Sequence, residues 1–390
     1  MRRLHPSFLT VLFVALLSPA PRPAAGQMGG HGHAPAVAED ARLTMVHDSD
    51  AREIVLTIGP IRLPADAHVM QLTPAEQIEI PVDGWLTAFE ARVVDADGQA
   101  LPSSLLHHIN LVMPDRRELF MPIMQRLAAA GQETGRIQLP WPLGIPVSAG
   151  EPVITVAMVH NPTAQPVDLR IEARLSYRTA GRTNRVSVQP FFMDIQPPPD
   201  EASFDLPPGR SELTWEGSPA VDARILGLGG HIHRYGTELR LEEVGDDGSV
   251  RVLWKTEPEL SDDGDVADVP RKTFLLRFGI PVRAGRTYRL HALYDNPTPD
   301  TIRAGGMAEI GGVVLPRGEW PDADPGESLY LADYRQFTRF NPELYGRFGV
   351  PEREAAANAA PEAGEEGETA GEADHHQHGP TNKRSSIPDP

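Results

Sequence analysis

Six side chains able to hold a soft or borderline metal fall near apolar, strand-like segments. They are His107 and His108 in "SSLLHHIN", His160 in "AMVHNPT", His231 and His233 in "GLGGHIHRYGTEL", and Met307 in "AGGMAEIGG". Residues i and i+2 of a strand share a face, so the two rings of His-x-His can converge on one ion. Adjacent His107 and His108 would point to opposite faces of a regular strand, which suits a one-sided core poorly. It suits an ion held between two rings. One set is then three imidazoles (His107, His108, His160), and the other is two imidazoles and a thioether (His231, His233, Met307). A thioether favours Cu(I), and imidazole also suits Cu(II). Structural zinc prefers thiolate, and the chain has no cysteine. Taken singly, each residue has a plainer reading: a satisfied core histidine, a turn that hydrogen-bonds backbone, or a methionine filling core space.

These residues sit on a duplicated scaffold. "GIPVSAGEPVITVAMVHNPT" begins at Gly144 and "GIPVRAGRTYRLHALYDNPT" at Gly279, with ten of twenty positions identical at an offset of 135 residues. That offset is a typical domain length. The pattern predicts domains at 41–183 and 186–345, with the boundary in "RTAGRTNR". His160 closes the first arm, Asp295 holds the matching place in the second, and Met307 follows twelve residues later. His291 aligns with Val156 and reads as structural; His47 and His68 have no spacing partner. Short apolar runs punctuated by 39 Pro and 35 Gly predict strands and turns. "PVDLRIEARLSYR" alternates Val167, Leu169, Ile171, Ala173 and Leu175 on one face, the mark of a half-buried strand. "MPIMQRLAAAGQ", from Met121, is the best short helix.

The order His-His, His, His-x-His, Met in a duplicated all-β chain resembles the copper type II, ascorbate-dependent monooxygenases, the family of peptidylglycine alpha-hydroxylating and dopamine beta-monooxygenases. The resemblance covers roughly 41–318. It implies two tandem β-sandwiches of jelly-roll type, each carrying one copper. By this likeness His107, His108 and His160 hold an electron-donating copper. His231, His233 and Met307 hold the copper that activates oxygen, across a solvent-filled cleft. Ascorbate or another one-electron reductant recharges both. The peptide-processing enzyme has a tyrosine four residues after the methionine and an arginine two residues before His-x-His. Gly311 and Gly229 stand there in this chain, so the likeness implies a retained scaffold and a remade substrate pocket. The expected activity is hydroxylation of an unidentified small molecule or peptide, with a reductase or copper donor as partner. The alternative is a non-catalytic exported copper-binding or copper-transfer protein on the same scaffold.

The bulk properties fit an exported protein. Arg2 and Arg3 precede the apolar run "FLTVLFVALL", and Ala24-Ala25-Gly26 offers a cleavage site, so 1–26 reads as a signal peptide. The other reading is a membrane anchor, for which ten apolar residues are short; no other segment is long and apolar enough to span. The mature protein is expected to be periplasmic or secreted. The net charge of −18 argues against nucleic acid and against an anionic membrane surface. A flexible lead (27–40) carries His31 and His33. An acidic tail (351–390), expected to be disordered, carries nine acidic and three basic side chains with His375, His376 and His378. These tracts read as solvated flanks or as accessory metal-collecting arms. "SDDGDVADV" resembles a calcium loop without its closing Glu and reads as a solvated acidic loop. There is no phosphate loop and no nucleophile elbow.

Overall fold

The computed structural model describes residues 36–348, except 66, 181–185, 199–202 and 262–263. The expected signal segment, His31, His33, and the tail with His375, His376 and His378 lie outside the described residues.

The described residues are nearly all β, folded as two jelly-roll-like sandwiches. In chain order the first half contributes β1 (Arg42–Asp48), β2 (Glu53–Leu63), β3 (Ala67–Leu72), β4 (Gly84–Val94), β5 (Leu106–Arg117), β6 (Met124–Gly131), β7 (Leu143–Val147), β8 (Pro152–Asn161) and β9 (Val167–Arg178). One sheet runs β3-β8-β5-β6 and the other β7-β4-β9-β2-β1, each with a short strand at one edge. Ile54, Leu56 and Ile58 of β2 and Leu169, Ile171, Ala173 and Leu175 of β9 meet Ile109 and Leu111 of β5 and Val153 and Ala157 of β8 in one core. The alternation in "PVDLRIEARLSYR" thus marks the buried face of β9.

The second half contributes β10 (Gln189–Asp194), β11 (Gly209–Gly217), β12 (Ala223–Ile232), β13 (Gly236–Val244), β14 (Val250–Thr256), β15 (Thr287–Asn296) and β16 (Ala308–Pro316). Sheets β10-β16-β12 and β11-β15-β13-β14 enclose a second core that includes Ile225, Leu239, Leu290, Tyr294 and Ile310. The repeated Asn-Pro-Thr closes both arms with the same bonds. The Thr163 and Thr298 hydroxyls donate to Asn161 and Asn296 at 2.7 Å, and those amides donate to the Gln165 and Asp300 carbonyls at 2.8 and 3.0 Å. Gly150 and Gly285, one residue apart from the same alanine of each repeat, both take a positive φ (84° and 76°) that side chains rarely adopt.

The expected helix from Met121 is a strand. Ala128, Ala129 and Ala130 of β6 pair with Leu111, Asn110 and Ile109 of β5. The ladder then skips Leu127, because Val112 pairs with Arg126. This bulge buries Met124, Leu127 and Ala130 at a spacing of three, which imitates a helix in sequence. Alanine favours helix in isolation, but pairing with the apolar β5 wins. Both faces of β6 are covered because α1 (Ser328–Thr338) returns from the end of the second half. Its Tyr330 and Tyr334 pack with Met124, Val112, Ile154 and Val156 on the outer face of the first sandwich. The stretch placed by sequence in the second domain therefore straps onto the first. Asp333, 0% exposed, receives both arms of the Arg126 guanidinium at 2.6 Å and the Met124 N–H at 3.1 Å.

The halves also meet at Glu118. This buried carboxylate accepts from the Leu119 and Phe192 N–H groups and from the Arg126 N–H, at 2.9, 3.0 and 3.0 Å. Burial pushes its pKa up to about 7, against the pull of these donors and of the Arg126 charge.

Candidate metal centre

A bulge at the start of β5 resolves the problem of two adjacent histidines. Pairing with β8 jumps from Val159↔Leu106 to Met158↔His108, leaving His107 as the extra residue. A bulge lets consecutive side chains reach the same side. The two rings lie 5.0 Å apart with their Nδ1 atoms at 2.9 Å, one donating and one accepting. His160 lies near the end of β8, where pairing with β3 also slips, from Val159↔Gln71 to Asn161↔Ala67. Its ring centre is 6.3 Å from that of His107.

In the second half, His231 is on β12 opposite Glu309 of β16, and the His233 N–H donates to the Met307 carbonyl at 3.0 Å. Cross-strand partners share a face. The two rings are 5.1 Å apart. Tyr294, from the buried face of β15, pins the backbone at Met307: its hydroxyl donates to the Met307 carbonyl (2.5 Å) and accepts the Met307 N–H (3.1 Å). Burial raises the Tyr294 pKa further, keeping it a neutral donor.

The resemblance implies sets separated by a cleft. Instead, the His107 and His233 rings stand edge to face at 5.9 Å. All five histidines named from the sequence form one chain of neighbouring rings contributed by both halves. Asp295, the repeat partner of His160, is exposed and its N–H donates to the Tyr235 carbonyl at 2.9 Å. His291 faces Glu212 at 2.9 Å on the second sandwich, and His47 bonds Tyr177 at 2.8 Å. Asp265 of the acidic loop faces Arg234 at 3.5 Å.

Sequence reading missed Glu133. The pairing of His108 with Gly131 carries the turn after β6 to the cluster, and Glu133 Oε1 lies 3.1 Å from His231 Nδ1. A carboxylate only accepts, so Nδ1 carries the proton and the lone pair of Nε2 is left available as a donor to a metal. The partners are 98 residues apart, and no local motif links them. Burial disfavours the charged form of His231, but the Glu133 hydrogen bond and the Glu309 and Glu133 charges outweigh it and raise its pKa. Burial and neighbouring rings lower three others: His107 well below its usual value, His108 to about 4 and His233 to about 3.

Neutral imidazoles can take a metal at pH 7 without losing a proton first. Among the described residues, no three His, Cys, Asp or Glu side chains already converge as a ligand shell. The donor types, neutral imidazole and thioether without thiolate, fit copper. Loading requires His107 and His108 to exchange their mutual hydrogen bond for metal.

A pH dependence follows for the metal-free protein. The folded pKa values of His108 and His233 are depressed, so the unfolded chain takes up protons first as pH falls. Stability held above about pH 6.5 is lost toward pH 4. His108 alone accounts for at most about 3 kcal/mol, less in practice because the ring is only half-buried. His231 and Glu118, with raised pKa values, act in the opposite sense. The readout is therefore a difference: thermal unfolding between pH 7.5 and 5 should be less acid-sensitive in His108→Gln than in wild type. Equal slopes would contradict the assignment.

No family model and no curated protein matches the chain. Among solved structures it is similar to the major capsid protein P2 from bacteriophage PM2, at 13% identity over 63% of this chain and 93% of that one, with a TM-score of 0.32. It is also similar to PNGase F, a glycosylasparaginase from Flavobacterium meningosepticum, at 6% identity over 73% and 98%, with a TM-score of 0.33. Likenesses at this level carry no argument about function.

Proposed function

We propose that this chain is an exported copper-dependent monooxygenase that hydroxylates an organic substrate with O2 and a one-electron reductant such as ascorbate. What supports the reading is the donor set: five imidazoles from both halves in one chain of neighbouring rings, with the Met307 backbone bonded to that of His233 and no thiolate present; the 5.9 Å contact stands in place of the cleft that the resemblance implies. His107, His108 and His160 would hold one copper, and His231, His233 and Met307 the other. Bound copper would supply one-electron redox chemistry and oxygen activation, so that one oxygen atom enters a C–H bond while two electrons and two protons reduce the other to water.

The protein's own groups prepare the site. Glu133 fixes the tautomer of His231, Tyr294 holds the backbone of Met307, and burial keeps His107, His108 and His233 neutral. Gly229 shares the face of His231 and pairs with Gly311, and the aliphatic part of Arg271 crosses over Gly229.

The same contact between the halves also suits a non-catalytic copper-binding or copper-transfer protein. Oxygen uptake by the copper-loaded protein with ascorbate, with and without candidate substrates, separates the two. Substrate-dependent uptake supports the enzyme; none with any substrate tested supports the carrier. Met307→Ile keeps volume and removes sulfur. It should weaken Cu(I) binding at the second set by at least about tenfold, or about 1.4 kcal/mol, while His107, His108 and His160 still load. Unchanged Cu(I) affinity would make Met307 a packing residue.

A further inference from the structure

The turn that follows the Lys272–Thr273 strand presents apolar side chains outward. Leu276 is 99% and Phe278 80% exposed, with Leu275 partly exposed beside them. The turn is firmly built. The Phe274 N–H donates to the Leu226 carbonyl at 2.8 Å, the Phe278 N–H to Leu275 at 3.1 Å and the Gly279 N–H to Phe274 at 3.0 Å. Arg224 Nε donates to the Phe278 carbonyl. Phe278 itself takes a left-handed φ of 56°, unfavourable for an aromatic residue, and its ring remains in solvent. Trp141, 70% exposed, lies two residues before Leu143, which packs against Leu226 beneath the same turn. An isolated exposed leucine needs no explanation, but a braced turn that projects several apolar side chains does.

The charge of this region opposes that of the molecule. Residues 269–283 carry four basic and no acidic side chains, in a chain of net charge −18. Arg271 and Lys272 are exposed at the base of the turn. Of the neighbouring acidic residues, Asp265 faces Arg234 past the end of β12, and Asp268 lies exposed three residues before Arg271, so the segment 265–283 still carries a net charge of +2 from four basic and two acidic side chains.

We propose that this turn is a membrane-docking tip: Leu276 and Phe278 enter the interfacial layer of a phospholipid bilayer, and Arg271 and Lys272 meet anionic headgroups. An exposed apolar turn with two cations at its base matches the interfacial layer of a bilayer that carries anionic headgroups. The negative net charge excludes adsorption of the whole surface, not of this end. The inference is independent of the copper reading.

The test is co-sedimentation of the full chain, without added copper, with vesicles of phosphatidylethanolamine and phosphatidylglycerol, and with phosphatidylcholine alone. The expected result is binding to the anionic vesicles that weakens with salt. It should fall about tenfold or more in Leu276→Asp/Phe278→Asp and in Arg271→Glu/Lys272→Glu. Circular dichroism of each variant checks that the fold is kept, which exposure of all four positions favours. Absence of wild-type binding, or binding untouched by either pair of substitutions, would overturn the proposal. So would concentration-dependent self-association that Leu276→Asp/Phe278→Asp abolishes in the absence of vesicle binding, since the tip would then be a contact between proteins.

Discussion

His108→Ala is expected to reduce hydroxylation by about a thousandfold or more, equivalent to about 4 kcal/mol in the barrier, without unfolding the protein. Turnover of a monooxygenase consumes two electrons from a one-electron donor, and the proposal divides their delivery between the two ligand sets. His108 belongs to the first set, and its ring sits half-exposed at the bulge of β5 rather than in the first core. Its loss leaves His231, His233 and Met307 intact. The measurement is product formation beside copper content and a thermal melt. Retained copper on the second set with lost hydroxylation is the expected pattern. Hydroxylation continuing at a similar rate would mean that the sets do not cooperate, and equal loss of all copper would mean that the five histidines act as a single site.

The second large effect is on stability. Asp333→Ala should destabilise the protein by about 3–5 kcal/mol, because it leaves the buried Arg126 charge without its principal partner. Both guanidinium arms bond this carboxylate, and the same guanidinium stacks over Phe337 of α1 at 4.7 Å and Phe192 of β10 at 5.4 Å. One side chain thus ties the first sandwich to the strap and to the second half. Calorimetry should show the melting temperature lowered by about 10 °C. The double substitution Arg126→Leu/Asp333→Leu should recover part of the loss, since an apolar pair leaves no buried charge. A melting temperature unchanged in Asp333→Ala would show that Glu118 and Glu309 already balance Arg126.

What sequence could and could not reveal follows from the range of each interaction. The alternation in β9 and the repeated Asn-Pro-Thr turns are local, and both are visible as pattern. The five histidines are readable as a set because their order and the duplication support one another, although each alone resembles a core residue, and their rings do adjoin in the structure. The side chosen by His107 is not readable: it depends on where the ladder between β5 and β8 slips, and either strand alone gives no sign of it. Glu133 reaches His231 only through the pairing of β5 with β6. The segment from Met121 failed for a related reason, since a bulge and the covering strap gave a strand the burial spacing of a helix. The strap itself is invisible because its partners lie in the other half of the chain.

The most direct test is copper stoichiometry. The full chain with His31, His33, His375, His376 and His378 changed to Ala would be loaded anaerobically with Cu(I), dialysed, and analysed for metal and protein. Two coppers per chain are expected, falling to one in His107→Ala/His108→Ala and to one in His231→Ala/His233→Ala. One copper or none in the parent, or two retained in either double variant, would contradict the assignment of these histidines as two copper-binding sets.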